Sequence, residues 1–317
     1  MNPDVILGGV EAGGTKIMCA LGSAPDAIVA LARIPTTDPD RTVEEIVEFF
    51  LRHEERPAVV GIGSFGPLDP DAGSPTYGTI TNTPKTGWRE FPLGPRIAVA
   101  LGVPFVFDTD VNAAATGEHR WGAARDVDSF IYMTIGTGIG GGALVRGRRL
   151  HGLIHPEMGH LMLPRVPGDA FEGVCPFHGD CLEGLASGTA MRKRWGCPAE
   201  DLPLDHPGWR LEASYIALAL INLSLTLSPQ RIVIGGGVTE NRSLLPIVRE
   251  EFTRRLNGYV RSPIVLENVD SYVVEAGLGD RAGVLGALAM AEEARVQRRG
   301  AGPWSIPVDS RVSGSQD

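Results

Sequence analysis

Lysine is nearly missing from this 317-residue chain: Lys16, Lys85 and Lys193 are its only three, and arginine supplies the other 26 of 29 basic side chains. Against 38 acidic residues these leave a formal net charge of -9, so the positive surplus needed to hold a nucleic-acid backbone is absent. The arginine bias itself reads as compositional. Cysteine is scarce too, and Cys19, Cys175, Cys181 and Cys197 do not make a disulfide scaffold in a chain of this size. Long apolar runs are lacking. The best, residues 216–227, is broken by Asn222, Ser224 and Thr226 and falls short of the roughly 20 residues that cross a bilayer. The opening MNPDVILGGVEAGG has neither the basic stretch nor the cleavage pattern of a secretory leader. With 43% hydrophobic and 21% charged residues, a wholly disordered chain is excluded, and the expectation is a cytoplasmic protein of two domains with no membrane partner.

What the chain does have is glycine, 41 residues of it, much of it grouped. DVILGGVEAGGTKIMCALG at 4–22 reads as an apolar strand, a glycine turn and a second apolar strand, and SFIYMTIGTGIGGGALV at 129–145 repeats that grammar. Two such units more than a hundred residues apart imply a duplicated α/β architecture, each half bringing one glycine turn to a shared cleft. Between them Val43, Ile46, Val47 and Phe50 recur at helical spacing, and PAVVGIGSFG is a buried strand ending in glycines. VPFVFDTD then runs into a helix expected from Asn112, which puts Asp110 at the strand-to-helix junction where open α/β sheets gather ligands. Residues 151–187, rich in His, Gly, Pro and Cys, read as a loop excursion. Helices are expected at about 211–227, 239–256 and 280–298, with the strand RIVIGG after the first, and the polar tail 299–317 reads as disordered.

GTGIGGG contains G-x-G-x-x-G at Gly136, Gly138 and Gly141, yet a dinucleotide-binding turn opens a helix, and this one leads into the strand ALV. A Walker-type G-K-[ST] is absent as well. What remains is a hairpin turn whose backbone N–H groups can approach phosphate oxygens, beside the plain alternative of a glycine-rich hairpin. Around the first turn, Thr15 and Lys16 add a hydroxyl and a cation suited to phosphate, and Glu11 adds a carboxylate for hydrated Mg²⁺. Gly235 to Gly237 read either as a tight strand-to-helix connection or as a flat wall for an adenosine ring.

His160, Cys175, His178 and Cys181 form H-x14-C-x2-H-x2-C, a ligand set that suits tetrahedral zinc holding the excursion in shape. The competing readings are a Cys175–Cys181 disulfide, which a reducing cytoplasm disfavours, and a chance clustering of satisfied polar residues. Three carboxylates stand near turns: Asp110, Glu157 and Glu183. Any of them could be a helix cap or a surface charge, but Asp110 ends an apolar strand, where a charge needs a reason. The two glutamates flank the zinc ligands and would be held rigidly, facing a polyol.

Taken together, EAGGTK at 11–16, DTDVNAAATGE at 108–118, TIGTGIGGG at 134–142, HPEMGH at 155–160, CPFHGDCLEG at 175–184 and IVIGGGV at 232–238 resemble the ROK family of sugar kinases. The resemblance implies the two-domain actin-like (ribonuclease H-like) ATPase fold with an interdomain cleft: residues 1–111 plus about 281–298 in a small domain, 112–280 in a larger one. It makes Asp110 the general base and implies sugar contacts at Gly63, Asn82, Thr109, Glu157, His160 and Glu183. Glu11, Gly13, Gly14, Thr15, Lys16, Thr137, Gly138 and Gly236 would hold Mg²⁺-ATP, and a homodimer is implied. Glu11 and Thr109, where the family often has Asp and Asn, together with C-x2-H-x2-C and NTPKTGW at 82–88, resemble the bacterial fructokinase branch. Phosphorylation of fructose at its 6-hydroxyl is the leading expectation, with glucokinase or another hexose or amino-sugar kinase as the alternative. A sugar-responsive repressor of the same family would need a DNA-binding module ahead of the first strand, which begins by about residue 4. A non-catalytic sugar binder is the third reading, and the retained Asp110 and both turns speak against it.

Overall fold

The computed structural model describes residues 5–241 and 243–298, so the tail read as disordered lies outside the described residues. Three strands open the chain, β1 (Leu7–Ala12), β2 (Lys16–Gly22) and β3 (Ile28–Pro35). Helix α1 (Pro39–Leu51), strand β4 (Val60–Ser64), helix α2 (Leu93–Leu101) and strand β5 (Phe105–Thr109) complete a sheet in the order β3-β2-β1-β4-β5. Helix α3 (Asp110–Trp121) leads to β6 (Phe130–Ile135), β7 (Ile139–Val145) and the short β8 (Arg148–Arg149). After the excursion come α4 (Leu182–Ala186), α5 (Gly188–Trp195), α6 (Gly208–Leu227) and β9 (Arg231–Gly235). The chain continues through α7 (Leu244–Leu256), α8 (Pro263–Leu266), α9 (Val269–Tyr272), β10 (Val273–Glu275) and α10 (Ala282–Arg298). The second sheet runs β10-β9-β6-β7-β8.

Each sheet follows one plan. β1, β2 and β3 are antiparallel, with β4 and β5 joining β1 in parallel. Likewise β6, β7 and β8 are antiparallel, with β9 and β10 joining β6 in parallel. The duplication expected from two glycine turns is thus written in the strand order.

Local chemistry explains the elements. At the start of α1, Asp38 accepts the N–H groups of Asp40 and Arg41, and Pro39 presets the first turn. Val43, Ile46, Phe49 and Phe50 form its buried stripe, in one cluster with Ile62 and Phe107 of the sheet. Burying a ring such as that of Phe50 stabilises the fold by about 2–3 kcal/mol. In the other half Ile131, Met133 and Ile232 share a core with Tyr215 and Leu220 of α6 and Phe252 of α7. α6 is long and apolar enough to cross a bilayer, yet it buries Trp209, Tyr215, Ile216 and Leu220 in that core.

Two helices join the halves. α10 lies on β1 and β4, so close at Gly61 that a Cβ there would stand 1.9 Å from the Ala287 carbonyl oxygen. It also crosses α3, where a Cβ on Gly286 would come within 1.7 Å of the Ala113 carbonyl oxygen, and α3 in turn packs on β6 and β7.

Three boundaries differ from expectation. α3 begins at Asp110 rather than Asn112, because Thr109 Oγ1 accepts the Asn112 N–H at 3.1 Å and caps the helix earlier. The helix expected from 239 begins at Leu244, since Gly236 leads first into a 3-10 turn, Gly237–Glu240. The excursion is not loop throughout, for α4 at its end seats Leu182 and Leu185 in the second core.

Candidate active site

Both glycine turns open onto one cleft of about 1180 Å³, with Glu11, Thr15, Lys16, Asp110, Thr137 and Gly236 in its lining. At the first turn, between β1 and β2, Gly13 N–H closes the hairpin on the Lys16 oxygen at 2.9 Å. The turn's carbonyls are taken by residues that do not line the cleft. Gly13 O accepts the Thr36 hydroxyl at 2.8 Å, Gly14 O accepts Lys85 Nζ–H at 2.6 Å, and Thr15 O accepts Thr36 N–H at 3.1 Å. Because C=O and the following N–H point opposite ways across a planar trans peptide, this leaves the N–H groups of Gly14 and Thr15 on the other side. Neither has an acceptor among the described residues.

The second turn, between β6 and β7, is tied by the same logic to different elements. Gly136 N–H bonds the Gly138 oxygen at 2.9 Å, while Gly136 O accepts Gly188 N–H at 2.7 Å and Thr137 O accepts the Thr189 hydroxyl at 2.7 Å, both from the first turn of α5. The N–H groups of Thr137 and Gly138 are left without an acceptor among the described residues. Beside this turn Gly236 has φ 96°, and a Cβ there would lie 2.4 Å from the Ile135 carbonyl oxygen, so that wall of the cleft carries no side chain.

The two aspartates of DTD diverge in chemistry. Buried Asp108 accepts the Asn112 amide at 2.8 Å and stands 3.0 Å from both His151 Nε2 and Arg149 Nε. Burial alone would raise its pKa, but His151, Arg149 and Asn112 together hold it below the usual carboxylate value. Among the described residues no cation pairs with Asp110. Burial, then the charges of Glu11 and Glu157, push it up to about 7. Its Oδ1 accepts the Val111 N–H at 2.9 Å, which leaves Oδ2 for a ligand. Glu11 is also raised to about 7, by burial and against the pull of Lys16, and its buried Oε2 has no hydrogen-bond partner. Two neighbouring carboxyls near 7, one with an orphaned oxygen, suit a proton acceptor beside a site for a hydrated cation.

The excursion brings two more acids to the same field. Glu157 is pushed up to about 7 by partial burial and then by Glu183. Glu183 Oε2 accepts the Ile139 N–H at 3.0 Å, so this acid is hinged onto the second glycine turn. The buried, neutral ring of His155 accepts the Leu68 N–H at 3.1 Å, tying the excursion to the loop after β4. All four cysteines are free, so the disulfide reading is set aside. His160 Nδ1 stands 3.4 Å from Cys181 Sγ and 3.7 Å from Cys175 Sγ, and Cys175 Sγ is 3.6 Å from His178 Nδ1. Bonds of about 2.0–2.3 Å to one tetrahedral ion put ligand atoms roughly 3.3–3.8 Å apart. The four donor atoms all lie within 4.8 Å of one another and could hold such an ion, with His160 Nε2 left over.

Three expected sugar contacts have other surroundings here. Thr109 is buried and spends its hydroxyl on the α3 cap. Gly63 is a packing site, where a Cβ would meet the Ala113 methyl at 2.5 Å. Asn82 is exposed on the 82–88 loop. Sequence reading missed Thr36 and Thr189, which clamp the turns, and Arg192, Glu200 and Glu275, which line the cleft. Only the position of Thr189, just past the small-residue run that opens α5, offered a signal.

The family model of the ROK proteins matches residues 7–294. The chain belongs to the ROK family. Among curated relatives, the fructokinase of Pediococcus pentosaceus is 43% identical over 290 residues, covering 92% of this chain and 99% of that one. The fructokinase of Zymomonas mobilis is 43% identical over 297 residues, covering 92% and 97%. The crystal structure of a ROK hexokinase from Thermus thermophilus aligns with a TM-score of 0.73 at 30% identity, covering 92% of this chain and 100% of that chain. The two-sheet plan, with its cleft, is therefore the actin-like ATPase architecture of ROK kinases. Both turns, Asp110 and the Cys/His set of this ROK protein lie inside the matched span.

Proposed function

We propose that the protein is an ATP-dependent sugar kinase that phosphorylates fructose at its 6-hydroxyl. The observation that carries this is Asp110, a carboxyl with pKa about 7 that shares one cleft with two turns whose unpaired N–H groups suit phosphate oxygens. Similarity to fructokinases at 43% identity supports fructose as the sugar. The sugar hydroxyl would sit against Asp110 Oδ2, since Oδ1 is already engaged. As the hydroxyl oxygen bonds to the γ-phosphorus and ADP leaves, the hydroxyl proton passes to Asp110 Oδ2. Gly14, Thr15, Thr137 and Gly138 neutralise phosphate charge through their N–H groups, and Lys16 adds a cation from the cleft wall. Glu157, Glu183 and His160 Nε2 hold the sugar's other hydroxyls. The bare wall at Gly236 takes the nucleoside.

Magnesium, when bound, supplies charge neutralisation at the phosphates, and the orphaned Glu11 oxygen is the protein group that would hold its hydration shell. Zinc fits His160, Cys175, His178 and Cys181, where it would brace the excursion. We assign residues 1–111 with 281–298 to one domain and 112–280 to the other, in a cytoplasmic homodimer. The test is coupled ADP release with fructose, glucose and mannose under Mg-ATP, in which fructose gives the highest kcat/KM. Asp110→Asn lowers kcat by about 10³-fold; turnover like wild type in that variant removes the base. Only the ionised carboxylate accepts a proton, so kcat/KM rises as pH passes upward through about 7.

A further inference from the structure

Two of the chain's three lysines meet at one turn. Lys16 lines the cleft inside the first hairpin, and Lys85, from a loop about seventy residues further on, donates to the Gly14 carbonyl from outside it. Lys85 is held where it is. Its N–H donates to Thr83 Oγ1 at 3.3 Å, and its carbonyl accepts the Trp88 N–H at 3.1 Å. The fully buried Trp88 ring packs edge-on against Phe65 and Phe91 and donates its indole N–H to the Thr37 carbonyl at 3.1 Å. Thr37 adjoins Thr36, the other clamp on the turn, so one post fixes both. No carboxylate pairs with Lys85 among the described residues, so its charge is not spent elsewhere.

We propose that Lys85 is a positioning residue for the phosphates of the donor nucleotide, acting through the peptide between Gly14 and Thr15. That peptide is planar: its oxygen accepts Lys85 Nζ–H, and its other end is the Thr15 N–H, which lacks an acceptor. The ammonium does two things. It fixes the plane of the peptide so that Thr15 N–H keeps to the cleft side, and it draws electron density onto the carbonyl, which makes that N–H a stronger donor to an anionic oxygen. Thr36 does the same, without a charge, for the Gly13 carbonyl and the Gly14 N–H. A neutral or short side chain at 85 would leave the glycines free to turn their N–H groups away. The assignment rests on the kinase reading for the identity of its ligand, and its test is chosen to stand apart from it.

Binding of the β,γ-imido analogue of ATP with Mg²⁺ is measured by calorimetry, without sugar, on the full chain and on Lys85→Met and Lys85→Arg. The Met variant is expected to bind the nucleotide about tenfold more weakly and to lose about thirtyfold in kcat, with fructose affinity and Tm unchanged, because the half-buried side chain keeps its apolar stem in Met and gives up only the hydrogen bond to the turn. The Arg variant, which keeps a cationic donor, stays within about threefold of wild type. Nucleotide affinity unchanged in Lys85→Met overturns the assignment, as does an Arg variant as weak as the Met variant, or a fall in fructose affinity equal to the fall for nucleotide. Should the wild type bind nucleotide and phosphorylate no hexose, the fructokinase reading falls alone, and Lys85 is still judged by the calorimetry.

Discussion

The two glycine hairpins share a plan and differ in what holds them. Each closes on itself with one backbone bond and gives its outer carbonyls away, so that two consecutive N–H groups face the cleft. The first turn gives them to Thr36 and to the side chain of Lys85, and a Cβ on Gly14 would meet nothing within 4 Å. The second gives them to the first turn of α5, and a Cβ on Gly138 would lie 2.6 Å from Glu183 Oε2. The same arrangement of outward N–H groups was reached once with half-buried side chains from distant loops and once with the first turn of a helix. Substitution at Gly14 should therefore act by degree and at Gly138 by displacing Glu183.

The sharpest break of that comparison is a paired glycine change. Gly138→Ala should lower kcat by about 10²-fold or more, since either the turn or Glu183 must move, whereas Gly14→Ala should cost less than about tenfold. Steady-state kinetics on both variants decides it, and equal losses would mean that the turns are equally constrained. Chelation tests the zinc proposed for the Cys/His set and bears on the second turn, because Glu183 stands two residues after Cys181 and bonds the Ile139 N–H. Dialysis against a chelator should lower Tm by about 5 °C and weaken sugar binding, with nucleotide affinity less affected. The smallest effect belongs to Thr189→Val. It removes one donor to the Thr137 oxygen but leaves the Thr189 N–H at 3.4 Å, so nucleotide affinity should drop only about threefold, against about tenfold for Lys85→Met.

Much of this arrangement was legible in the sequence. Both hairpins, the Cys/His set and the place of Asp110 follow from short-range pattern: apolar alternation around glycine, ligands at x2 spacing, an acid closing a strand. What was not legible is long-range. The clamp on the first turn joins Lys85 to Gly14, and that on the second joins Thr189 to Thr137, pairings which no periodicity encodes. β3 escaped notice because its Ile28, Ala30 and Ala32 alternate with exposed Val29, Leu31 and Arg33 in a run with little apolar contrast. Thr109 and Gly63 were assigned to the sugar from the family resemblance; pattern alone did not show that Thr109 also caps α3 or that Gly63 packs on Ala113.

Where α10 crosses α3, the contact at Gly286 and Ala113 is main chain against main chain. Helices usually settle at a few favoured angles because rows of side chains on one interlock with those on the other. A crossing stripped of such teeth has little to index it, so its angular stiffness must come from elsewhere. In this molecule other ties between the halves are polar: Arg149 of β8 and His151 just after it reach Asp108 near the end of β5, and His155 of the excursion accepts the Leu68 N–H. A side chain at 286 would have to push the two helix backbones apart, so this one position sets how closely the halves can approach.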